Sequence, residues 1–261
     1  MCYLKNLKHV LNSSNPTQFA KHCLATGITK PSIFMGLQPN CMFGIPTIFS
    51  LDIMHLCDIN LPTLHLDMWH GTMDCDKATD SCAAWDWAVL QGDVWKAHGK
   101  DISASKSYLP GSFDRPPPNI AGKINSGYKA WEYLIYFFML GPGLLYRILP
   151  PKYWRHYCKL VCGLHILHQQ KIEVTQLQYS HLRLSEWSTE FEEMYCQHRA
   201  DHLHFVCPCV DSISHMSEEA THVGPASYAS QWCLEQTIGN LGKKIKQHSN
   251  PYMNLSERGL Q

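Results

Sequence analysis

Asp52 and His55 stand three residues apart in Asp52-Ile53-Met54-His55, and Glu235 lies far downstream in Gln231-Trp232-Cys233-Leu234-Glu235-Gln236. If a helical turn begins at Asp52, the carboxylate and the imidazole fall on one side of it. A carboxylate at a strand end can bind a divalent ion, with the imidazole orienting it or meeting a phosphate. The same residues also fit a helix-capping aspartate, a packed histidine and an exposed helix carboxylate. A nuclease-type metal site needs several carboxylates converging from distant parts of a chain. All 22 Asp and Glu lie at or beyond position 52, so one partner expected upstream is missing.

A second cluster is His202, His204, Cys207, Cys209 and His215. Zinc takes four ligands of these types. Cys207-Pro208-Cys209 leaves a single residue between thiols, which is not the spacing of a standard finger, and core packing with surface histidines fits the cluster as well. Cys158 and Cys162 have helical spacing that suits packing. There is no Gly-x-Ser-x-Gly elbow and no Gly-rich phosphate loop.

The elements that must position these groups are mostly helical by pattern. Tyr157, Val161, Leu164 and Leu167 follow Trp154 on one face of a segment begun by Pro150-Pro151. Leu177, Leu184, Trp187, Phe191 and Met194 repeat at the spacing of a packed amphipathic helix, with Thr175 and Gln178 as its capping box. A last helix is predicted over Tyr228 to Lys246, with its continuity in question at Gly239 and Gly242, and the tail from His248 reads as irregular. Residues 1–30 look weakly helical. Thr47-Ile48-Phe49-Ser50-Leu51 reads as a short strand bounded by Pro46. Asn60-Leu61-Pro62 is expected to end any helix begun at Ile53.

Composition narrows the class. The chain has 261 residues, 45% of them hydrophobic, and a formal net charge of zero, so bulk charge argues for no particular partner. Lys5, Lys8, Lys21 and Lys30 face no carboxylate in the first 51 residues, and Lys243, Lys244 and Lys246 cluster near the end. Both groups could touch phosphate, though a solvated surface suits them equally. Met1–Val10 lacks the apolar stretch of a secretory leader, so an intracellular chain with reduced thiols is expected. The apolar run from Ala130 to Leu149 contains Glu132 and Gly141-Pro142-Gly143. It is expected to be a buried core helix and not a membrane span.

The combined string resembles a known family. Thr26-Gly27-Ile28-Thr29-Lys30-Pro31-Ser32-Ile33-Phe34 and Asp52-Ile53-Met54-His55-Leu56 are similar to the transposases of CACTA (En/Spm) elements in plants and fungi, most of all to copies from mushroom-forming fungi. Tyr108–Pro117, Lys123–Glu132, Leu149–Trp154, Phe191–Tyr195 and Glu235–Gly242 extend the resemblance over nearly the whole chain. It implies a cut-and-paste DNA transposase with an RNase H-like core and an Asp/Asp/Glu triad holding two Mg²⁺ or Mn²⁺ ions ~4 Å apart. The second Asp then maps onto Asp52, with His55 beside it, and the Glu onto Glu235. The family's first Asp falls before the residues present here. DNA at transposon ends is the implied partner, and the nucleus the implied location. Gln236 stands where the family has Arg, and His70 in Met68-Trp69-His70-Gly71-Thr72 where it has another Arg. Both changes remove a fixed cation.

The expectation from sequence is therefore a mainly α chain with a small β remnant, a partial RNase H-like α/β core interrupted by a helical insertion. Its expected segments are 1–69 with the Asp-x-x-His motif, a polar and Pro-rich region over 70–125, a helical insertion over 126–220, and the Glu-bearing helix and tail over 221–261. The expected protein is a truncated transposase that holds its metal poorly and does not cleave DNA alone. A non-catalytic DNA-binding module and a zinc-stabilised helical interaction domain are the alternatives.

Overall fold

A computed structural model of the chain describes residues 3–38, 40, 49–113, 115–124, 127–245 and 249–259. Among them the chain is mainly helical and contains no strand. The sheet remnant of an RNase H-like core is thus not found among the described residues. Thr47 and Ile48 of the expected strand lie outside them, as does Lys246, and Phe49 to Leu51 form no strand.

The chain divides into two units, residues 1–50 and 51–261. In the first, α1 (Tyr3–Leu11) pairs with α2 (Pro16–Thr26). Asn15 caps α2 by accepting from the Gln18 N–H at 2.9 Å, Pro16 starts it, and Gly27 ends it at φ +70, a left-handed geometry that suits glycine.

The segments expected to start at 70, 126 and 221 all belong to the second unit. It opens with α3, residues 53–70, which runs as α-helix Ile53–His55, π-helix Leu56–Asn60 and α-helix Leu61–His70. Pro62 therefore does not end this helix, contrary to the expectation from sequence. Proline offers no N–H to the carbonyl four residues back and its ring crowds that carbonyl. The widened π turn just before it absorbs the mismatch, with the Leu61 N–H reaching the Leu56 carbonyl. After α4 (Gly92–Ala104) comes α5, residues 130–144, again with a π segment, Leu134–Leu140, at its centre. Ile135, Tyr136, Phe137 and Phe138 on it are buried, so the apolar run is a core helix. No helix among the described residues is long and apolar enough to cross a membrane.

Helices α6 (Pro151–Leu167) and α7 (Val174–Phe191) form the main hairpin of the unit. Both bury the faces read from the sequence: Tyr157, Val161, Leu164 and Leu167 on α6, and Leu184, Trp187 and Phe191 on α7. The two axes approach closely at Gly163, where a Cβ would sit 2.6 Å from Leu184 Cγ. The capping box of α7 lies two residues before the expected one. The Glu173 N–H donates to Gln176 Oε1 at 2.9 Å, so the helix begins at Val174. Beyond it lie α8 (Pro208–Ile213), α9 (Met216–Val223), α10 (Trp232–Lys244) and α11 (Pro251–Gly259). Gly239 and Gly242 do not interrupt α10, and α11 is helical where an irregular tail was expected.

Aromatic rings dominate the core. Trp69 stacks on Phe137 and meets Tyr157 edge-on, while its Nε1–H donates to the Tyr195 hydroxyl at 3.1 Å. Met68 and Trp69 thus serve packing here. Gly71, at φ +73, terminates α3.

Candidate functional site

Asp52 is the N-cap of α3. Its Oδ1 accepts from the Met54 N–H at 3.3 Å, and its Oδ2 accepts from the His55 N–H at 3.1 Å. Oδ2 also accepts the Nδ1–H of His55. The fourth donor comes from the far end of the chain, where the Gln231 N–H reaches Oδ1 at 2.8 Å. Gln231 is the residue before α10. One carboxylate therefore sits between the N-terminal ends of two helices, where backbone donors and helix dipoles both favour negative charge.

That same contact delivers Glu235. It lies in the first turn of α10, and its Oε1 is 3.8 Å from His55 Nε2. The three residues singled out in the sequence are thus brought together, Asp52 to His55 to Glu235, across the span of the second unit. Asp52 is largely buried and the other two are half exposed, their side chains 43% and 48% accessible. His55 and Glu235 border a cavity of about 490 Å³ that is also lined by Arg115, Lys129, Trp131 and Trp232. The two tryptophan rings meet edge-on with centroids 6.2 Å apart. Gln236 lines the same cavity. Arg115 and Lys129 supply positive charge there. The resemblance contained both residues but did not mark them, because their joining to α10 is a tertiary contact.

A metal ion does not fit Asp52 as the residue is placed. A carboxylate has about four lone-pair positions, and Asp52 fills them with Met54, His55 twice, and Gln231. Coordination would break a helix cap or release α10. Among the described residues no three His, Cys, Asp or Glu side chains converge as a metal-holding group. What the arrangement supplies is an imidazole whose Nδ1 proton is fixed by Asp52 and whose Nε2 faces the cavity. Such a nitrogen can accept a proton or meet a phosphate.

Behind the site lies a group that the sequence did not reveal. Asp58, in the π segment of α3, is fully buried and bonded to His168 Nε2 at 3.0 Å. Burial raises the Asp58 carboxyl above its ordinary range, with the bond to His168 opposing it. Burial is the largest single influence on His168 and works against its charged form, but the bond to Asp58, the Asp58 charge and the bond to the Leu164 carbonyl together raise it. Nothing in Cys57-Asp58-Ile59 signals a buried acid, since its partner is far away in sequence.

Among the described residues the 202–215 cluster forms no group of three or more side chains that could hold a metal ion. Both ring nitrogens of His202 are taken, Nε2 by Asp80 at 2.5 Å and Nδ1 by the Tyr195 carbonyl at 3.1 Å. His204 Nε2 donates to the Asp74 carbonyl at 2.7 Å. Arg199 binds Asp201 at 2.5 Å and the Thr79 carbonyl at 3.3 Å. These bonds fasten the acidic 74–80 loop to the 199–204 turn.

α10 buries none of its residues, so its placement depends on a few contacts at its start. Asp52→Ala removes the α3 cap and the Gln231 tether together, and should free residues 231–244 to protease while the α6–α7 hairpin stays folded. Losing the cap itself costs about 1 kcal/mol. Limited proteolysis with hydrogen exchange measures both effects, and unchanged protection of α10 would refute the tether. Compared with protein-family models, curated proteins and solved structures, the chain shows no match.

Proposed function

We propose that this chain is a relative of CACTA-type cut-and-paste transposases that contacts DNA and does not cleave it by itself. The observation that supports the reading is the meeting of His55 and Glu235 at one cavity, with Asp52 bonded to His55 and with Arg115 and Lys129 beside them. The lack of cleavage follows from the bonding of Asp52. In the family an RNase H-like core uses Mg²⁺ or Mn²⁺ held by three carboxylates, and here one of the two candidates is committed to backbone donors. The β part of such a core lies outside what the described residues contain. The nucleus is the expected location on the same resemblance.

The two cations favour a DNA-contacting module over an inert one. Phosphate contacts make affinity fall steeply with salt, by roughly one unit of log–log slope per contact. Gel shifts with element-end DNA should show salt-sensitive binding that weakens, with a shallower slope, in Arg115→Ala and Lys129→Ala. No binding at low salt would end this part of the reading. Incubation with DNA and Mn²⁺ should leave the DNA intact, whereas nicking that depends on Mn²⁺ and is lost in Asp52→Ala would overturn the rest.

A further inference from the structure

Two pairs of cysteines lie in near contact, although the ten described cysteines are all free thiols. Cys75 and Cys82 have sulfurs 3.5 Å apart, and Cys207 and Cys209 have sulfurs 3.1 Å apart. Their surroundings differ in kind. The Cys82 S–H donates to the Met73 carbonyl at 3.6 Å, an arrangement that favours the protonated thiol. Burial first, and then Cys75, push Cys82 up to about 11. Around Cys207 the neighbours are donors. Contact with the Cys209 thiol lowers it most, burial opposes, and the backbone N–H groups of Cys209 and Val210 add to the lowering. Cys207 is half-buried, while Cys209 is buried behind it. A half-buried sulfur favoured as thiolate, backed by a more deeply buried thiol 3.1 Å away, is the arrangement of an attacking and a resolving cysteine.

We propose that Cys207 and Cys209 form a dithiol site that exchanges with small-molecule disulfides, Cys207 attacking and Cys209 resolving. In the first step Cys207 Sγ attacks one sulfur of RS–SR. The S–S bond breaks, a mixed disulfide forms on Cys207, and one RS⁻ leaves to take a proton from water. Cys209 then gives its proton to solvent and attacks Cys207 Sγ, and the second RS⁻ departs. Two electrons pass from the pair to the small disulfide, which leaves as two thiols, and the chain retains a Cys207–Cys209 disulfide. The site is separate from Asp52 and holds whether or not the chain touches DNA. It does lie close behind that region: α8, which carries Cys209, packs on the π segment 56–60, and the Cys57 S–H there donates to Met216 Sδ at 3.4 Å.

The test uses the full reduced chain with iodoacetamide at pH 7 and peptide mass mapping. Cys207 should be alkylated about tenfold faster than the exposed Cys162 and Cys233, and Cys82 more slowly than either. With oxidised glutathione, the unaltered chain should end as the Cys207–Cys209 disulfide with no glutathione retained, and Cys209→Ser should stop at a glutathione adduct on Cys207. Cys207→Ser should leave Cys209 unmodified. Cys207 reacting no faster than Cys162 would overturn the proposal, as would a lasting glutathione adduct on Cys207 in the unaltered chain. Both of these readings come from the native sequence, so they stand even if Cys209→Ser fails to fold.

Discussion

Acidification below pH 6.5 is expected to destabilise the 51–261 unit steeply, and three histidines set the steepness. His65, His98 and His156 are all buried. His65 donates from Nδ1 to the Leu61 carbonyl at 2.8 Å, and His156 from Nε2 to the Trp187 carbonyl at 2.9 Å. The other nitrogen of each, and Nδ1 of His98, has no partner and is closed off from water. These unpartnered nitrogens belong to rings held among aromatics such as Trp69, Phe137 and Trp187. Protonation would bury a charged N–H with nothing to bond. Burial accordingly holds His65 down at about 3, and His98 and His156 at about 4.

The sign of the effect follows from proton counts. Below pH 6.5 the unfolded chain protonates all three rings while the folded chain does not, so the unfolded state binds more protons and stability falls as pH falls. Each ring contributes about 1.4 kcal/mol per pH unit between 6.5 and its folded value, so the three together give roughly 3–4 kcal/mol per unit. Asp58 and Asp67, both raised chiefly by burial, offset part of this near the lower end. Urea melts at pH 7, 6 and 5, followed by tryptophan fluorescence, check the slope. A flat profile over that range would mean these rings are hydrated. His65→Phe or His156→Phe should remove about a third of the slope each.

Replacing His168 by alanine destabilises the same unit by about 3 kcal/mol or more. It leaves the Asp58 carboxylate buried without its partner, and breaking a buried pair from one side typically costs 3–5 kcal/mol. Oδ2 of Asp58 already lacks a partner, so no second bond softens the loss. His168 also donates from Nδ1 to the Leu164 carbonyl at 2.8 Å near the end of α6, and that bond goes too. Replacing both residues by leucine should cost much less than His168→Ala, because it removes the stranded charge. A denaturation double-mutant cycle with additive effects would show that the two side chains do not interact.

The hairpin faces were legible in the sequence because a 3.6-residue repeat needs only local information. Tyr157 to Leu167 and Leu184 to Phe191 bury as the spacing predicts. Pro62 misled because a π turn can absorb a proline, and no local signal distinguishes that from a stop. α11 was missed because exposed short helices carry little apolar period. At the site, Asp52 as a cap and Asp52 as a metal ligand require the same residue and differ only in the Gln231 N–H, which is brought in by folding. For the histidine cluster, closeness in sequence left packing and shared ligation both open, and the partners, Asp80 for His202 and Asp74 for His204, are brought in by folding. The buried histidines that govern acid stability carry no mark among the 16 in the chain.

Asp52 as a tether between two helices, rather than a metal ligand, is most directly tested by Mn²⁺ binding. Paramagnetic resonance titration of the intact chain, its Asp52→Asn variant and its Glu235→Gln variant at millimolar Mn²⁺ should give the same weak, non-saturating uptake in all three. A saturable Mn²⁺ site present in the unaltered chain and lost in both variants would contradict it.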